Sequence, residues 1–388
     1  MSDTPILQGQ PRRKLLVYTH AMTGGGAERV TALLASGFAR AGWDVILAVD
    51  FQSGDNLAYL DPAVRIVLLG DGHRDQTLAL ARLLRAEAPD ISLSALCISN
   101  LKHVAAALMA GRLSRAVLSY HGFFSSEPQP LSRMSYLLTP VLTRMAAATV
   151  CVSDSLRDYL AGWWRASAAR TRRIYNPVAV REPEAARARN EPVVLAIGRL
   201  VAQKNYTGLV RAFALLECRD ALLVIAGVGP ERPAIEAEAA RLGLAERVSL
   251  PGYLPEPWRL YGEASCFAVP SVLESFSLVV VEAMANGLPV VSTRCGGPVE
   301  ILDGGRLGHL VPYDDAPAMA QAIDAALRIP GDPGPRIARA AEFGLDAALA
   351  AYSDLFEEVL ARGAKPRRRA LRPAPSRAAT VQDARQGR

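Results

Sequence analysis

The strongest constraint on the fold is a repeated alternation of short, continuously apolar runs with longer segments of helical periodicity. In the first half of the chain, the runs Lys14–His20 and Ala116–Gly122 are each followed by a helical pattern, and the run Asp44–Asp50 is followed by a second short strand and then a helix near Gln76–Ala88. Strands that are apolar at nearly every position are buried on both faces, as in parallel sheets covered by helices. The alternation therefore predicts an α/β fold.

A charged, proline-flanked segment interrupts this alternation, and the same rhythm resumes after it. Its low apolar content is typical of a linker between domains. Two such blocks predict two Rossmann-like domains that face a central cleft. The predicted parts are an N-terminal domain at 1–177, the linker at 178–191, a C-terminal domain at 192–345, a helix at 346–363 that could pack back on either domain, and a disordered basic tail at 364–388.

Two helices of the first block carry further predictions. Asn100 is predicted to cap a helix at Leu101–Ala110, and another helix is predicted near Leu131–Ala147. Within the latter, the stretch Leu131–Arg144 combines apolar residues with Arg133 and Arg144. It could lie on a membrane surface, although an ordinary helix packed on the sheet is the favoured interpretation.

The positive charge of the chain is concentrated at its C-terminal end. The formal net charge is +6, but residues 364–388 carry eight Lys or Arg and one Asp, which leaves a net charge of −1 for the rest. A nucleic-acid-binding fold carries its positive charge on the folded surface, so we expect no specific nucleic-acid partner. The tail could be attracted to anionic lipid or could bind nucleic acid non-specifically, but such tails are more often simply solvated.

The cysteines and the N-terminal sequence bear on the cellular compartment. The five cysteines are scattered and include no C-x-x-C pair, which suits a reducing compartment and argues against structural zinc. The first residues lack the long apolar stretch of a signal peptide, and no apolar run reaches the roughly 18 residues of a transmembrane helix. We expect a cytoplasmic protein that could contact the inner face of the cell membrane.

Two glycine-containing turns follow predicted strands. Gly24-Gly25-Gly26 comes after the first strand and opens a helix, where exposed N–H groups can bind an anion. Arg199 and Lys204 lie on the loop after the strand that ends at Gly198. Ligands of open α/β sheets bind at the carboxyl ends of strands, and two cations on one loop suit a diphosphate. Either turn alone could equally be structural.

A third constellation combines carboxylates with a helix start. In the segment Glu274–Ala283, Glu274 precedes a helix predicted around Ser277–Asn286, and Glu282 lies more than one turn inside it. The backbone N–H groups of Leu278 and Val279 would be unpaired at the helix start and could bind phosphate. Because apolar residues flank Glu282, a buried and partnered carboxylate is the favoured interpretation.

Two further motifs are weaker when each is taken alone. Gly296-Gly297-Pro298-Val299-Glu300 is another turn after a strand, and it is either part of the site or a plain structural turn. His121 ends the strand Ala116–Gly122 and would project into the same cleft from the opposite domain. Its position is about equally compatible with a structural histidine whose hydrogen bonds are all made within the protein.

Together these segments resemble the retaining glycosyltransferases of family 4, which have the GT-B fold. The similarity runs from about Lys14 to about Pro330. It rests on the E-x7-E segment and the G-R-x4-K loop in this order and spacing, and the early G-G-G turn adds little specificity. Ser277 is a departure, since the family often has glycine there.

The resemblance implies a role for each matching residue. Arg199 and Lys204 would bind the donor diphosphate, and Glu282 would hold the ribose hydroxyls. Glu274 would contact the transferred sugar, and His121 would lie beside the reacting sugar, near the acceptor. The implied catalytic residues are His121 and Glu274, and the implied donor-binding residues are Gly24, Gly25, Arg199, Lys204, Tyr253, Leu254, Ser277, Leu278, Val279 and Glu282.

The implied reaction moves a hexosyl unit from a nucleotide diphosphate sugar to a hydroxyl of a glycan or lipid-linked acceptor, in bacterial-type polysaccharide or lipid-linked glycan assembly. No D-x-D pair occurs in the chain. We therefore expect cations and a helix N-terminus to replace a divalent metal, and no cofactor besides the co-substrate. The alternatives are a sugar-nucleotide epimerase of the same fold and a nucleotide-binding scaffold without catalysis.

Overall fold

The structure is a computed structural model that describes residues 12–51, 54–126, 130–179, 191–254 and 257–364. Most of the predicted linker (180–190) and nearly all of the predicted basic tail (365–388) lie outside the described residues. The described residues form two parallel β-sheets flanked by helices, so the predicted α/β fold with two sheets is confirmed.

The first sheet contains seven parallel strands, which are buried at most positions near its centre. Its elements, in chain order, are β1 (Lys14–Thr19), α1 (Gly26–Arg40), β2 (Asp44–Val49), β3 (Arg65–Leu68), α2 (His73–Glu87), β4 (Ile91–Ala95), α3 (Cys97–Ala110), β5 (Ala116–Tyr120), α4 (Pro130–Leu137), α5 (Thr139–Met145), β6 (Ala148–Cys151), α6 (Asp154–Trp163) and β7 (Thr171–Arg173). The spatial order of the strands is β3-β2-β1-β4-β5-β6-β7.

The second sheet contains six parallel strands. Its elements are β8 (Val193–Ile197), α7 (Tyr206–Ala214), β9 (Leu222–Ala226), α8 (Arg232–Arg241), β10 (Val248–Gly252), α9 (Trp258–Glu263), β11 (Cys266–Val269), α10 (Leu278–Ala285), β12 (Val290–Thr293), α11 (Gly297–Ile301), β13 (His309–Val311) and α12 (Ala316–Arg328), followed by α13 (Gly334–Ala341) and α14 (Leu345–Ala364). The spatial order is β10-β9-β8-β11-β12-β13.

Both sheets reverse their strand order beside their first strand. In the first sheet β1 lies between β2 and β4, and in the second β8 lies between β9 and β11. At such a switch point the loops after the two central strands diverge to opposite sides and leave a crevice at the carboxyl ends. The topology therefore opens one crevice beside the turn after β1 and another beside the loops after β8 and β11.

The last helix, α14, packs on the first sheet's domain, although it follows the second sheet in the chain. The ring of Phe356 lies 5.3 Å from that of Phe38 in α1 and 5.9 Å from that of Trp43. Arg13, just before β1, pairs with Glu357. The chain thus passes between the domains twice, and Val178 N donates to Phe343 O (2.9 Å) where the two passages meet.

The prediction for Asn100 is wrong, because α3 already begins at Cys97 and contains it. The Asn100 side chain accepts a hydrogen bond from Ser94 Oγ (2.7 Å) and donates one to Ser119 O (3.0 Å). It therefore links β4 to β5 instead of capping a helix. The buried hydrogen-bond partners of an asparagine come from neighbouring strands, and these are not visible in the local sequence.

The single helix predicted near Leu131–Ala147 is also wrong in detail. It is divided into α4 and α5 at Leu138, because Pro140 has no N–H for the preceding turn and its ring clashes with that turn. The short edge strands β7 and β13, of three residues each, lie outside the predicted strand runs.

Candidate functional site between the two sheets

The turn after β1 lies against the start of α10 from the other domain. A Cβ atom on Gly26 would stand 3.1 Å from Leu278 Cδ1. Gly25, which precedes α1, is in an extended conformation. The backbone of this turn and the N-terminus of α10 therefore face the same crevice, although the two segments are far apart in the sequence. Gly24, at the outer end of the turn, is exposed.

The loop after β8 brings Lys204 to Glu274. Lys204 Nζ lies 2.5 Å from Glu274 Oε1, and the side chains are 18% and 10% exposed. Ser271 Oγ donates a second hydrogen bond to the same carboxylate oxygen (2.7 Å). Arg199, on the same loop, is exposed. A carboxylate thus holds the lysine at the place where the sequence predicts a diphosphate.

The Gly296-Gly297 turn fixes the backbone of the Glu274 loop. Glu274 N donates to Cys295 O (2.7 Å), and Glu274 O accepts from Gly297 N (2.9 Å). Gly296 has a φ of +94°, and a Cβ on Gly297 would approach Phe276 O to 2.2 Å. Only glycine permits both the backbone conformation and this close approach. The turn therefore positions Glu274 and does not itself project a side chain into the crevice.

Glu300, the acid of the same motif, crosses to the other domain. Its two carboxylate oxygens accept hydrogen bonds from Asp154 N (2.8 Å) and Ser155 N (2.7 Å) at the N-terminus of α6. A carboxylate at a helix start satisfies unpaired N–H groups and interacts favourably with the helix dipole. Glu300 thus joins the two domains.

The start of α10 has an unusual backbone conformation. Ser277 precedes the helix with a φ of +92°, a region that residues with a Cβ rarely adopt. Its Oγ is buried and finds no hydrogen-bond partner among the described residues. The first N–H groups of α10, which include those of Leu278 and Val279, are available to a ligand. An anion at this helix start could also bond to the Ser277 hydroxyl.

Glu282 is buried and doubly partnered, as its apolar flanks indicate. The residue is 1% exposed; Tyr261 donates to one carboxylate oxygen (2.7 Å) and Arg29 of α1 pairs with the other. The Arg29 guanidinium also lies 5.9 Å from the Trp258 ring centroid. This contact from the first domain was not predicted, and the only sequence signal for it is the position of Arg29 in the first turn of α1.

His121 follows β5 and faces the loop that carries Glu274. Its Nε2 lies 2.9 Å from Ser119 Oγ, and its carbonyl accepts a hydrogen bond from Ser275 Oγ (2.5 Å). Its Nδ1 is buried without a partner among the described residues. Burial lowers the pKa of His121 to about 4, so the imidazole is neutral near pH 7. The unpartnered Nδ1 is an atom that a ligand hydroxyl could satisfy.

The loop after β10 is more open than the rest of the site. Tyr253 is 49% exposed, and Leu254 is partly buried. Among the described residues, no group of three or more His, Cys, Asp or Glu side chains could hold a metal ion. Within the same ranges, no helix has the combined length and apolar character required to cross a membrane.

Family models match most of the chain. The model for glycosyltransferase family 4 matches residues 24–182, and the model for glycosyl transferases group 1 matches residues 181–342. An uncharacterized glycosyltransferase of Methanocaldococcus jannaschii is 29% identical over 247 residues, which are 59% of this chain and 62% of the relative. A lipopolysaccharide core biosynthesis glycosyltransferase of Rhizobium meliloti is 34% identical over 133 residues, which are 34% of this chain and 38% of the relative.

The match to these curated relatives thus spans less than two thirds of their length. Among solved structures, Anabaena HepE in complex with UDP and glucose superimposes with a TM-score of 0.78 at 19% identity, covering 89% of this chain and all of HepE. The superposition shows that the fold is shared over nearly the whole molecule. The two parallel sheets of this chain and the two consecutive family matches establish that it belongs to the GT-B glycosyltransferases of the family 4 type.

Proposed function

We propose that this protein transfers a hexosyl unit from a nucleotide diphosphate sugar to an acceptor hydroxyl, with retention of configuration. One observation carries the proposal: Lys204, Glu274, the start of α10 and Glu282 converge at the switch point of the second sheet. A diphosphate beside Lys204 and the α10 N–H groups leaves Glu274 next to the attached sugar. With the diphosphate in this place, Glu282, one turn into the helix, lies toward the nucleoside.

The chemistry follows from the charge that develops during transfer. As the bond between the anomeric carbon and the phosphate oxygen breaks, its electron pair goes to the diphosphate. The oxygen of the acceptor hydroxyl forms the new bond to the anomeric carbon, and its proton passes to the departing phosphate oxygen. Lys204, Arg199 and the N–H groups of α10 are fixed positive groups that stabilise this charge. These groups make a divalent metal unnecessary in the proposed mechanism, which uses no further cofactor. The neutral His121 would accept a hydrogen bond from a sugar hydroxyl, or donate one to it, without adding a charge.

The choice of donor and acceptor draws on the relatives. HepE has been solved with UDP and glucose, so a UDP-hexose is the first donor to test. The Rhizobium meliloti relative acts in lipopolysaccharide core biosynthesis, which supports a growing glycan as acceptor, free or lipid-linked. The epimerase alternative has no support from the family assignment. A transferase requires an acceptor hydroxyl for turnover, apart from slow transfer to water, whereas an epimerase does not.

We also propose a cytoplasmic protein that contacts the membrane peripherally. The buried side of α4 and α5 packs on the domain through Ser135, Tyr136 and Leu142, but the opposite side exposes Met134, Leu137 and Val141. Exposed apolar residues flanked by arginines suit contact with an anionic membrane. Such contact would bring the protein to a lipid-linked acceptor.

The decisive experiment measures nucleotide binding and turnover separately. UDP, GDP and ADP are screened by thermal shift, because a ligand that binds only the folded state raises the melting temperature. Donor hydrolysis is then measured for Glu274→Ala and Lys204→Met, with Glu236→Gln on the exposed side of α8 as the control. We expect Glu274→Ala to lose turnover by about 100-fold or more while it keeps nucleotide binding. Lys204→Met should weaken nucleotide binding itself.

Several outcomes would contradict the proposal. If none of the three nucleotides stabilises the wild type, the donor site does not exist as described. If EDTA abolishes turnover and Mn²⁺ restores it, the reaction depends on a metal. The anomeric configuration of the product, read by NMR, tests retention directly.

A further inference from the structure

A second polar cluster lies at the carboxyl end of the first sheet, outside the donor site. His20 follows β1, and its Nδ1 lies 2.5 Å from Asp50 Oδ2 at the end of β2. The Asp50 side chain is completely buried, whereas that of His20 is 26% exposed. The pair therefore runs from the interior of the domain to its surface, and the histidine is the exposed end.

The buried carboxylate is held by two more donors. Lys102 Nζ lies 2.7 Å from Asp50 Oδ2, and Tyr18 OH donates to Oδ1 (3.1 Å). Burial raises the pKa of Asp50, but the hydrogen bonds from His20 and Lys102 outweigh it and leave the pKa below its usual value. An ionised carboxylate only accepts hydrogen bonds, so His20 Nδ1 carries a proton. Asp50 therefore engages Nδ1, and Nε2 is the other ring nitrogen that can form a hydrogen bond.

The exposed end of His20 belongs to a small group of rings. The ring of Phe51 meets His20 edge to face, with centroids 4.8 Å apart, and that of His73 lies 6.4 Å away. Phe51 is 41% exposed, and His73, at the start of α2, is exposed as well. Among the described residues, no hydrogen bond to His20 Nε2 is found. An exposed aromatic face beside ring nitrogens suits a pyranose, which has apolar C–H faces and a rim of hydroxyls.

This cluster lies beside the turn that faces the donor site. His20 follows β1 directly and precedes the turn that contains Gly25, and β1 is the strand beside which the first sheet reverses its order. Glu28 lies in the first turn of α1, directly after the turn that contains Gly25. By this topology, His20 lies at the crevice that the first sheet opens at the carboxyl end of β1.

We propose that His20, oriented by Asp50, exchanges a hydrogen bond through Nε2 with a hydroxyl of the acceptor sugar, whose ring packs on Phe51 beside His73. This inference deepens the proposed function and rests on it. Asp50 acts through His20 and is a positioning residue. Tyr18 and Lys102 hold the Asp50 carboxylate in place, and the carboxylate in turn holds Nδ1 of His20. The site takes a pyranose with a hydroxyl directed at Nε2.

The test uses the full chain saturated with whichever of UDP, GDP or ADP gives the largest thermal shift. Methyl glycosides of glucose, galactose, mannose and N-acetylglucosamine serve as probes, and their binding is followed by saturation-transfer NMR. We expect at least one glycoside to bind the wild type. His20→Ala and Phe51→Ala should each weaken its binding by about 10-fold, the value of one hydrogen bond or one ring contact. His309→Ala, an exposed histidine on β13, is the matched control.

Two further measurements distinguish direct contact between His20 and the sugar from a purely structural role of the His20–Asp50 pair. His20→Gln, which can place an amide oxygen near the Nε2 position, should recover part of the lost binding. The imidazole ¹⁵N resonances of His20 should shift on titration with the glycoside, with Nε2 moving more than Nδ1. A purely structural His20–Asp50 pair would show neither effect.

The outcomes distinguish this inference from the proposed function. Normal nucleotide binding with no glycoside binding to the wild type, or with unchanged binding in His20→Ala and Phe51→Ala, overturns the acceptor site alone. Failure of every nucleotide to bind overturns the proposed function. Loss of nucleotide affinity in His20→Ala would also contradict the inference, because His20 is assigned to the acceptor.

Discussion

Single residues at the crevice are held in states that cost free energy, and Ser277 is the clearest case. Its φ of +92° costs a residue with a Cβ about 1–2 kcal/mol, and its buried hydroxyl has no partner among the described residues. Residues held in rare backbone conformations cluster at functional sites. The position of this one, at the start of α10, agrees with the proposed phosphate contact.

We therefore expect Ser277→Gly to stabilise the protein by about 0.5–1 kcal/mol, since glycine removes the backbone strain but has greater freedom in the unfolded chain. Ser277→Ala also removes the unpartnered hydroxyl but keeps the Cβ and the backbone strain, so Ser277→Gly should be the more stable of the two variants. Urea denaturation of both variants in the absence of nucleotide measures the difference. Equal stability of the two would show that the backbone at this position is unstrained.

Two buried histidines make stability depend on pH. Burial lowers the pKa of His103 to about 3 and that of His121 to about 4, against an ordinary value of 6.5. Below pH 6.5 the unfolded chain takes up protons that the native protein does not. Each histidine therefore removes up to about 1.4 kcal/mol of stability per pH unit as the pH falls toward 4. Above pH 7 neither histidine contributes a pH dependence.

The urea concentration at the midpoint of unfolding should thus decrease as the pH is lowered from 7 to 5, and it should not change between pH 7 and pH 8. Among the described residues, the hydrogen-bond partners of the His103 ring are Ser92 and Ser94, so His103→Gln can keep polar contacts without titrating. We expect this variant to lose about half of the slope between pH 7 and pH 5. An unchanged slope would mean that His103 is protonated in the native state.

The helices α4 and α5 each have one buried side and one exposed side. Pro140 breaks the helix, yet the exposed side chains of the two pieces remain on one side. Leu137 and Val141 are 65% and 52% exposed, so neither side chain is part of the domain core. Such a surface either contacts a membrane or is simply tolerated in water.

The double variant Leu137→Glu/Val141→Glu should reduce flotation with anionic liposomes by about 10-fold or more, because each apolar side chain that enters the interface contributes about 1 kcal/mol or more. Leu215→Glu, at a residue 51% exposed in the second domain, is the matched control. Equal flotation of all three proteins would exclude this surface as the membrane contact. Deletion of residues 365–388 tests the basic tail separately.

For the whole molecule, three of the polar contacts between the domains lie along the crevice. They are the Arg29–Glu282 ion pair, the hydrogen bond from Ser275 to the His121 carbonyl, and the cap that Glu300 places on α6. All three lie beside the proposed reaction site. The domains therefore meet where a donor would be enclosed, and enclosure limits hydrolysis of the donor.

Arg29→Ala should open the molecule. Of the side-chain partners that Glu282 has in the described part of the chain, this variant leaves Tyr261, and an unpaired buried charge costs about 3–5 kcal/mol unless water reaches it. Separation of the domains admits that water, so the radius of gyration measured by small-angle scattering should increase. Arg232→Ala, which removes an exposed helix pair, should leave it unchanged. A compact Arg29→Ala protein would show that the pair does not hold the domains together.

The sequence by itself determined the local units of this protein. Apolar runs alternating with helical patterns gave the two parallel sheets, because strands buried on both faces need apolar residues throughout. The spacing of Glu274 and Glu282 around one helix start predicted which groups share a loop and a helix. These features depend on neighbours within a few turns of chain, which the sequence displays directly.

Only the tertiary structure decided the contacts between distant segments. Arg29 and Glu282 are 253 positions apart, Glu300 and α6 are 145 or 146 apart, and α14 returns to the first domain. The same holds for Asn100, whose partners lie on strands, and for the His20–Asp50 pair. No local pattern encodes such pairs, since they arise when sheet order and domain packing bring the ends of different strands to one crevice.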